Sequence, residues 1–355
     1  MRKIYHVIDG LNIGGAQAIL SSLCKYKKCY EHKVLVLSGK NEYAGKIDRY
    51  ADVTILSVSK YNWIKIFIKL FVMVLQNRHS IFNGHLEASS LMLSVIRLFI
   101  NFKLVLTIHA IPSQLPFWYN KIYAIMCRFN NYYIVEDKLA SNYLMANKIN
   151  PEKIKYIQIG TEVEFGIPTS KHNIKKEFSI PDNKIILLNV SRLIRPKGHK
   201  DLILMMDELK KQMLDIFFHL IIVGHGKEEY KLKKLARDLN IENLITFAGK
   251  RYDLQRFYSY SNWFLMPCYD ESMGVVIYDA IANQIPVIAY NNGSISELID
   301  SEKKGYIVNT DYKEMLDVII NNLPMKKLNL TKNELYIYSA ERMADEYEKV
   351  YDLMI

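Results

Sequence analysis

The sequence predicts an α/β fold in which parallel strands alternate with helices, and three observations indicate it. Short apolar runs, such as residues 4–8 and Trp263–Met266, have the continuous hydrophobicity of strands buried on both faces of a parallel sheet. The first run leads through a glycine-rich turn into an amphipathic helix at residues 16–23. The 355 residues are enough for two domains of ordinary size.

Composition and charge limit the classes of protein to which this chain can belong. Half of the residues are hydrophobic and 24% are charged, as in ordinary folded proteins. The net charge of +10 favours anionic partners such as nucleotides or acidic lipid surfaces. The sequence carries no helix-turn-helix, zinc-finger or RNA-binding signature, so we expect no nucleic-acid partner. The four cysteines lack metal-ligand spacing and Asp9 interrupts any signal-type apolar run, so a cytoplasmic setting is expected.

The main candidate site is a loop and helix between two buried strands, Trp263–Met266 and residues 286–289. Glu271 and Ser272 stand where the helix is expected to begin, and residues 275–282 continue it. Free backbone amides would point out of this positive helix end, at Ser272, Met273, Gly274 and Val275. Because Gly274 has no Cβ, a ligand can approach its backbone closely. The pattern predicts an anion site.

Two acids extend this site. Glu271 and Asp279 are eight residues apart, a little over two helical turns, so both can lie on one side of the helix. Either acid alone is more simply explained as a helix cap or an exposed side chain. Together beside an anion site they suit a phosphorylated, hydroxyl-rich ligand, which indicates a sugar nucleotide.

Residues 267–289 resemble the E-x7-E signature of retaining GT-B glycosyltransferases of the GT4 type, also called group 1. In register are Pro267, Glu271, Gly274, Ala280, Ala282 and residues 286–289, whereas Cys268, Ser272, Met273, Asp279 and Gln284 depart from the pattern. The resemblance implies that Glu271 positions sugar hydroxyls and that residue 279 binds the nucleotide ribose. Asp279 is one methylene shorter than the usual Glu and loses about 1.5 Å of reach.

The resemblance covers nearly the whole chain and implies further site residues. The loop at Gly14 and Gly15 does not match G-x-G-x-x-G, which weakens a dehydrogenase interpretation, but it is similar to the family's G-G-A-E loop near the donor phosphates. Arg192 and Lys197 would neutralise the donor diphosphate. The resemblance also implies that the nucleotide comes close to the backbone at Gly224 and Gly249 and that its base stacks on Arg251. It further implies that His109 contacts the donor sugar.

The implied architecture is GT-B, with two Rossmann-like doubly wound domains facing a central cleft. Residues 1–165 would form the N-terminal, acceptor-binding domain, and residues 166–335 the C-terminal, nucleotide-sugar-binding domain. Residues 336–355 would form a helix that returns to the N-terminal domain. His85, like His109, follows an apolar strand, and a structural role for it is as plausible as an acceptor contact.

The implied reaction moves a sugar, with retention, from a UDP- or GDP-sugar to an acceptor hydroxyl. No cofactor or metal is expected, since no Asp-x-Asp stands where it would hold an ion on the phosphates. The expected acceptor is a glycan or polyprenyl-linked glycan of bacterial capsule, O-antigen or exopolysaccharide. Two alternatives stay open: a GT-B nucleotide-sugar epimerase, and a catalytically degenerate subunit that binds donor or a partner transferase, which Asp279 permits.

Residues 63–79 have two interpretations. The apolar run is too short and too interrupted by lysine to span a bilayer. It fits a helix covering the sheet of the first domain, or a helix at an anionic lipid interface through Trp63, Lys65, Lys69 and Arg78. Both hold if the outer face is exposed, and the protein would then lie peripherally on the inner face of the plasma membrane.

Overall fold

The chain forms two compact units in a computed structural model. The N-terminal unit comprises Met1–Glu162 and Tyr336–Ile355, and the C-terminal unit comprises Val163–Leu335. The structure describes residues 2–12, 14–39, 41–57, 62–109, 121, 125, 128–162, 173–212, 217–269, 274–292, 295–299, 303–323 and 327–355.

The N-terminal unit is built on a parallel sheet, seven strands of which lie within the described residues, in the order β3-β2-β1-β4-β5-β6-β7. The strands are β1 (Arg2–Ile8), β2 (Tyr30–Ser38), β3 (Asp52–Ser57), β4 (Ile81–His85), β5 (Lys103–Ile108), β6 (Tyr132–Val135) and β7 (Ile154–Tyr156). The helices are α1 (Gly15–Lys25), α2 (Ala44–Ile47), α3 (Trp63–Gln76), α4 (Glu87–Arg97), α5 (Lys138–Ala146) and, from the end of the chain, α14 (Ala340–Asp352).

The C-terminal unit repeats this plan with six parallel strands among its described residues, in the order β10-β9-β8-β11-β12-β13. The strands are β8 (Ile185–Val190), β9 (Phe218–Val223), β10 (Ile245–Gly249), β11 (Trp263–Met266), β12 (Val287–Tyr290) and β13 (Gly305–Val308). The helices are α6 (Ile174–Glu177), α7 (His199–Lys211), α8 (Glu229–Asp238), α9 (Leu254–Tyr260), α10 (Val275–Ala282), α11 (Ile295–Leu298), α12 (Tyr312–Asn321) and α13 (Lys332–Tyr336), the last crossing the boundary between units.

The predicted doubly wound α/β class is confirmed. Counted from its first strand, each sheet runs 3-2-1-4-5-6, with one further strand in the N-terminal unit, and this is the Rossmann order. The central strands are buried on both faces because helices cover both, which explains their continuous apolar runs. Side chains on one face of the first sheet pack with α3, α4 and α5, and those on the other face pack with α1 and α2.

The last helix belongs to the first unit. Its amino end is capped by the Ser339 hydroxyl, which accepts a hydrogen bond from the Arg342 amide at 3.2 Å. The Thr161 amide donates to the Tyr338 carbonyl, and the Thr161 carbonyl accepts from the Ala340 amide, each at 2.8 Å. Tyr347 in α14 is buried. These contacts attach the end of the chain to the segment that follows β7 in the N-terminal unit.

Helix α3 presents an apolar surface on both sides. Its inner face, at Ile66, Leu70 and Val74, is fully buried. Its outer face is also apolar, at Trp63, Ile64, Ile68, Val72 and Leu75, where Ile64 is 80% exposed. Among the described residues, no helix combines the length and the hydrophobicity that crossing a bilayer requires.

Candidate functional site

The predicted donor site lies at the carboxyl edge of the C-terminal sheet, where the loops after β8 and β11 meet. Gly198, in the loop after β8, has φ of +67°, and a Cβ added there would lie 1.8 Å from the Pro267 carbonyl oxygen. The Tyr269 amide donates to the Pro196 carbonyl at 2.9 Å. Two loops that are about 70 residues apart in sequence are therefore in direct contact, and only glycine fits between them.

A buried polar network fixes the end of β8. The Asn189 side-chain amide donates to the Leu265 carbonyl at 2.8 Å, which turns its oxygen toward the Ser191 hydroxyl at 3.0 Å. His199 Nε2 lies 2.8 Å from that hydroxyl. Because the Ser191 hydrogen is donated to Asn189, the His199 ring is the donor, from Nε2. Burial lowers the pKa of His199 to about 4, so the ring is neutral at pH 7.

The predicted cations Arg192 and Lys197 lie on this braced loop. Arg192 is exposed and Lys197 is partly buried. Residues Arg195–Lys197 form a 3-10 turn, and Gly198 caps the following helix α7 in a left-handed conformation. The loop thus carries Arg192, Arg195 and Lys197 beside the end of β11. Sequence reasoning missed Arg195, although it stands between the other two cations in the sequence.

The helix after β11 begins later than predicted. Gly274 is the N-cap of α10, with φ of +54°, and Val275 is the first helical residue. A left-handed residue cannot continue a right-handed helix, so the expected start at Glu271 or Ser272 is wrong. Glu271, Ser272 and Met273 lie outside the described residues. The carboxyl end of the helix at Ala282 agrees with the sequence.

Gly274 has a structural reason to be glycine. Its positive φ disfavours other residues, and a Cβ would meet the side chains of Leu298 and Ile277 at 3.2 and 3.3 Å. The missing side chain therefore makes room for neighbouring apolar groups. The close approach of a ligand to the Gly274 backbone stays a prediction. The amide of Val275 remains at the positive end of α10, as predicted.

Asp279 lies in the second turn of α10 and is partly buried. One of its carboxylate oxygens is 3.5 Å from the hydroxyl of Tyr258, a fully buried side chain in α9. Burial, with a smaller contribution from Asp279, raises the pKa of Tyr258 well above its usual value, so this hydroxyl stays a hydrogen-bond donor. A ribose contact from Asp279 stays a prediction.

Sequence reasoning missed Asp201. It lies in the first turn of α7 and accepts hydrogen bonds from the hydroxyls of Tyr269 and Tyr290, each at 2.7 Å. Burial and this carboxylate raise the pKa of Tyr269 to about 12. One acid thereby ties the loop after β11 and the last residue of β12 to the helix that follows the cationic loop. Its only local signal was an acidic residue in the first turn of a helix.

The two glycines predicted to meet the nucleotide differ. A Cβ at Gly224, where φ is +144°, would lie 2.0 Å from the Ser191 carbonyl oxygen, so this glycine allows the loops after β8 and β9 to pack. At Gly249, where φ is +68°, no described atom lies within 4 Å of a Cβ position. Only Gly249 leaves space into which a ligand could come.

Arg251 is already bound by carboxylates. Its guanidinium donates two hydrogen bonds to Asp253, at 2.9 and 2.8 Å, and one to Glu177 at 2.7 Å. It also lies over the Phe257 ring, 5.2 Å from the centroid. These contacts attach α6 to α9 and favour a structural role over the predicted stacking on a base.

In the N-terminal unit, the predicted glycine loop opens α1. Gly14 is the N-cap and Gly15 the first residue of the helix. The Gln17 side-chain amide donates to the Gly10 carbonyl at 2.9 Å, which closes the turn. Asp9 accepts from the amides of Ala88 and Ser89, at 3.1 and 2.7 Å, so this acid caps α4. The donor-phosphate role of Gly14 and Gly15 stays a prediction.

His109 belongs to a histidine ladder, defined here as Glu136, His109, His85, His6 and His32. The ring of His109 contacts Glu136 through Nδ1 at 3.1 Å and His85 through Nε2 at 3.0 Å. His85 then contacts His6 at 2.9 Å, and His6 contacts His32 at 3.1 Å. Both nitrogens of His109 are thus engaged and the residue is 3% exposed, so the predicted contact with a sugar hydroxyl requires one of these bonds to break.

The ladder has one direction. Each bonded pair joins Nδ1 of the ring nearer His32 to Nε2 of the ring nearer Glu136. Burial lowers the pKa of His6 and His85 well below the usual value and that of His32 to about 4. The rings of His6, His85 and His32 are therefore neutral, and each carries one ring hydrogen. One run of hydrogen bonds that fits the four contacts has every ring donating from Nδ1 and Glu136 accepting from His109. For His85 this geometry favours the structural interpretation.

Comparison with known proteins gives a family match in the C-terminal unit. Residues 170–335 match the family described as glycosyl transferases group 1. An uncharacterized glycosyltransferase of Haemophilus influenzae is 29% identical over 183 residues, which cover 50% of this chain and 51% of that protein. The O-antigen biosynthesis glycosyltransferase WclY of Escherichia coli is 26% identical over 223 residues, covering 62% and 60%. The chain thus spans about half the length of the curated relatives it matches.

Solved structures show the same fold over the full chain. Anabaena Alr3699/HepE in complex with UDP-glucose superposes with a TM-score of 0.80 over 100% of this chain and 99% of that one. The sequence identity is 17%, so this likeness concerns the fold alone.

Proposed function

We propose that this chain, whose residues 170–335 match the glycosyl transferases group 1 family, transfers a sugar from a nucleotide diphosphate sugar to an acceptor hydroxyl. In this reaction the bond between the anomeric carbon and the diphosphate oxygen breaks, and the acceptor oxygen takes its place. The acceptor hydroxyl proton leaves with the diphosphate or to solvent. We further propose that the anomeric configuration is retained and that the donor is a UDP- or GDP-sugar.

The observation that carries the proposal is the braced cationic loop after β8. The leaving diphosphate gains negative charge as the glycosidic bond breaks, and preorganised cations lower the energy of that state. The loop bears Arg192 and Lys197, and its backbone is fixed against Pro267 at the end of β11. Because the loop is held before the ligand arrives, little binding energy is lost in ordering it.

The helix after β11 completes the proposed donor site. The amino end of α10 would add a partial positive charge on the phosphates. Glu271 would position the sugar hydroxyls, and Asp279 would bind the ribose. Since these cations supply the neutralising charge, we expect turnover without added Mg²⁺ or Mn²⁺.

The proposed acceptor is a lipid-linked glycan used in bacterial surface polysaccharide synthesis. Support comes from the E. coli relative in O-antigen biosynthesis and from the outer face of α3. That face joins exposed Ile64 and Ile68 to Lys65 on the same helix, the pattern of a helix lying on an anionic bilayer. An enzyme held at the membrane surface would meet its acceptor there.

The test begins with thermal unfolding of the purified chain in a panel of UDP-, GDP- and ADP-sugars, because a bound ligand stabilises by mass action. The stabilising donor is then incubated with and without a polyprenyl-linked glycan. Transfer only with the acceptor supports the proposal. Conversion of the donor without acceptor indicates an epimerase, and donor binding with no product under either condition indicates a degenerate subunit.

A further inference from the structure

A second cluster of ligand-type side chains lies in the N-terminal unit, apart from the donor loops of the C-terminal unit. His6 in β1 and His32 in β2 share one face of the sheet, since Ile4 pairs with His32 and residues 4 and 6 point the same way. Cys24, in the last turn of α1, lies over that face. One ligand atom from each of the three residues lies within 4.8 Å of the others.

We propose that His6, Cys24 and His32 bind one thiophilic metal ion, of the class of Zn²⁺ or Cu⁺. Imidazole nitrogen and thiolate sulfur are the ligands these ions select, whereas Mg²⁺ and Ca²⁺ prefer oxygen. All three residues are at most 3% exposed, so water competes little for the ligand atoms. The site does not depend on the proposed transfer reaction.

The distances need little adjustment. Zinc bonds of about 2.0 Å to nitrogen and about 2.3 Å to sulfur, in a tetrahedron, place two nitrogens roughly 3.3 Å apart and nitrogen and sulfur roughly 3.6 Å apart. His6 Nε2 and His32 Nδ1 are already 3.1 Å apart. The Cys24 sulfur lies within 4.8 Å of one ring nitrogen of each histidine, so it has to approach by at most roughly 1 Å.

The histidine ladder presents the right nitrogen of His6. In the run of hydrogen bonds that ends on Glu136, His109, His85 and His6 each donate from Nδ1 toward the carboxylate. His6 Nε2 is then a bare lone pair directed at His32 and the cluster. Histidines that bind metals commonly donate their second N–H to a carboxylate or another acceptor, which fixes the ring and strengthens the ligand. In this protein the second N–H of His6 is linked to the Glu136 carboxylate through the rings of His85 and His109.

Metal binding changes few bonds. The hydrogen on His32 Nδ1 moves to Nε2, which has no hydrogen-bond partner among the described residues either before or after. The Cys24 S–H bond breaks and its proton goes to solvent, while two metal–nitrogen bonds and one metal–sulfur bond form. No oxidation state changes. Cu⁺ with one thiolate sums to zero charge, whereas Zn²⁺ with one thiolate leaves one positive charge.

The test is equilibrium dialysis of the full chain, reduced and freed of metal, against Zn²⁺, against Cu⁺ under nitrogen, and against Mg²⁺. We expect about one equivalent of Zn²⁺ or Cu⁺ and none of Mg²⁺. Cys24→Ser and His32→Gln should each weaken binding at least tenfold. Cys29→Ser, which alters an exposed thiol five residues away, should leave it unchanged.

A spectroscopic readout separates ligation from a merely structural role. Cd²⁺ bound to the chain should give the ultraviolet charge-transfer band of a thiolate–metal bond, present in the wild type and in Cys29→Ser but missing from Cys24→Ser. If the wild type binds neither Zn²⁺ nor Cu⁺, the proposal is overturned whatever the variants do. Equal binding by Cys24→Ser and Cys29→Ser would also overturn it, since the ion would then bind elsewhere.

Discussion

Replacing Gly198 by alanine should separate the loops after β8 and β11. At φ of +67° an alanine costs about 1–2 kcal/mol in conformational free energy. Its Cβ would also lie 1.8 Å from the Pro267 oxygen, so one backbone has to move by about 1.2 Å to reach the 3.0 Å limit of real contacts. Forcing atoms into packed structure costs about 1–3 kcal/mol, so we expect a loss of about 2–5 kcal/mol in unfolding free energy.

Gly249→Ala is the matched control. Its φ of +68° carries the same conformational cost, but no described atom lies near the added Cβ. We therefore expect a loss of only about 1–2 kcal/mol, and the difference between the variants measures the steric overlap.

The assay is urea unfolding followed by the fluorescence of Trp263, which is buried in β11. Replacing Trp63 and Trp118 by Phe leaves Trp263 as the single reporter of the C-terminal unit. Equal unfolding free energies for the two alanine variants would refute the proposed contact between the loops.

Further outcomes follow from the same structure. Burial lowers the folded-state pKa of His199 and His219 to about 4, whereas the pKa in the unfolded chain is near 6.5. Between these values only the unfolded chain takes up the protons, so the contribution of the two histidines to stability is complete above pH 6.5 and is lost toward pH 4. The unfolding free energy of the C-terminal unit should fall by up to about 2.7 kcal/mol per pH unit in that window, and a flat profile in urea titrations would contradict this. Ile68→Glu should lower sedimentation with phosphatidylglycerol vesicles at least tenfold while Tyr230→Glu, an exposed aromatic in α8, does not; equal losses would remove α3 as the lipid contact. Arg251→Met should lower stability by about 1 kcal/mol with UDP affinity unchanged, and the opposite pattern would restore its predicted stacking role.

The strands were predictable because their signal is local. Runs such as Trp263–Met266 are apolar without alternation, and the sheets proved to be covered on both faces. The start of α10 was not predictable in the same way. Glu271 and Ser272 are good capping types, but Gly274 adopts a left-handed conformation, and the helix begins only after it.

The candidate donor site was predictable only in part, because its geometry depends on contacts between residues that are distant in sequence. Spacing in sequence located the cations Arg192 and Lys197, but their brace is a contact between Gly198 and Pro267, which are distant in sequence. The ladder depends on strand order, since it joins side chains from five neighbouring strands and their carboxyl ends. The spacing of the cysteines in the sequence likewise gave no sign of a metal site at Cys24, because the other two proposed ligands are histidines on other elements.

The central claim is that Arg192 and Lys197 act together on one diphosphate, and calorimetric titration with UDP tests it most directly. The titration compares the wild type, each alanine variant and the double variant, with Lys231→Ala as a control, since Lys231 is exposed on α8. A charged hydrogen bond contributes about 1.5–3 kcal/mol, so each site variant should bind UDP roughly 10- to 100-fold more weakly and the control normally. A wild type that binds UDP no better than the double variant would contradict the account.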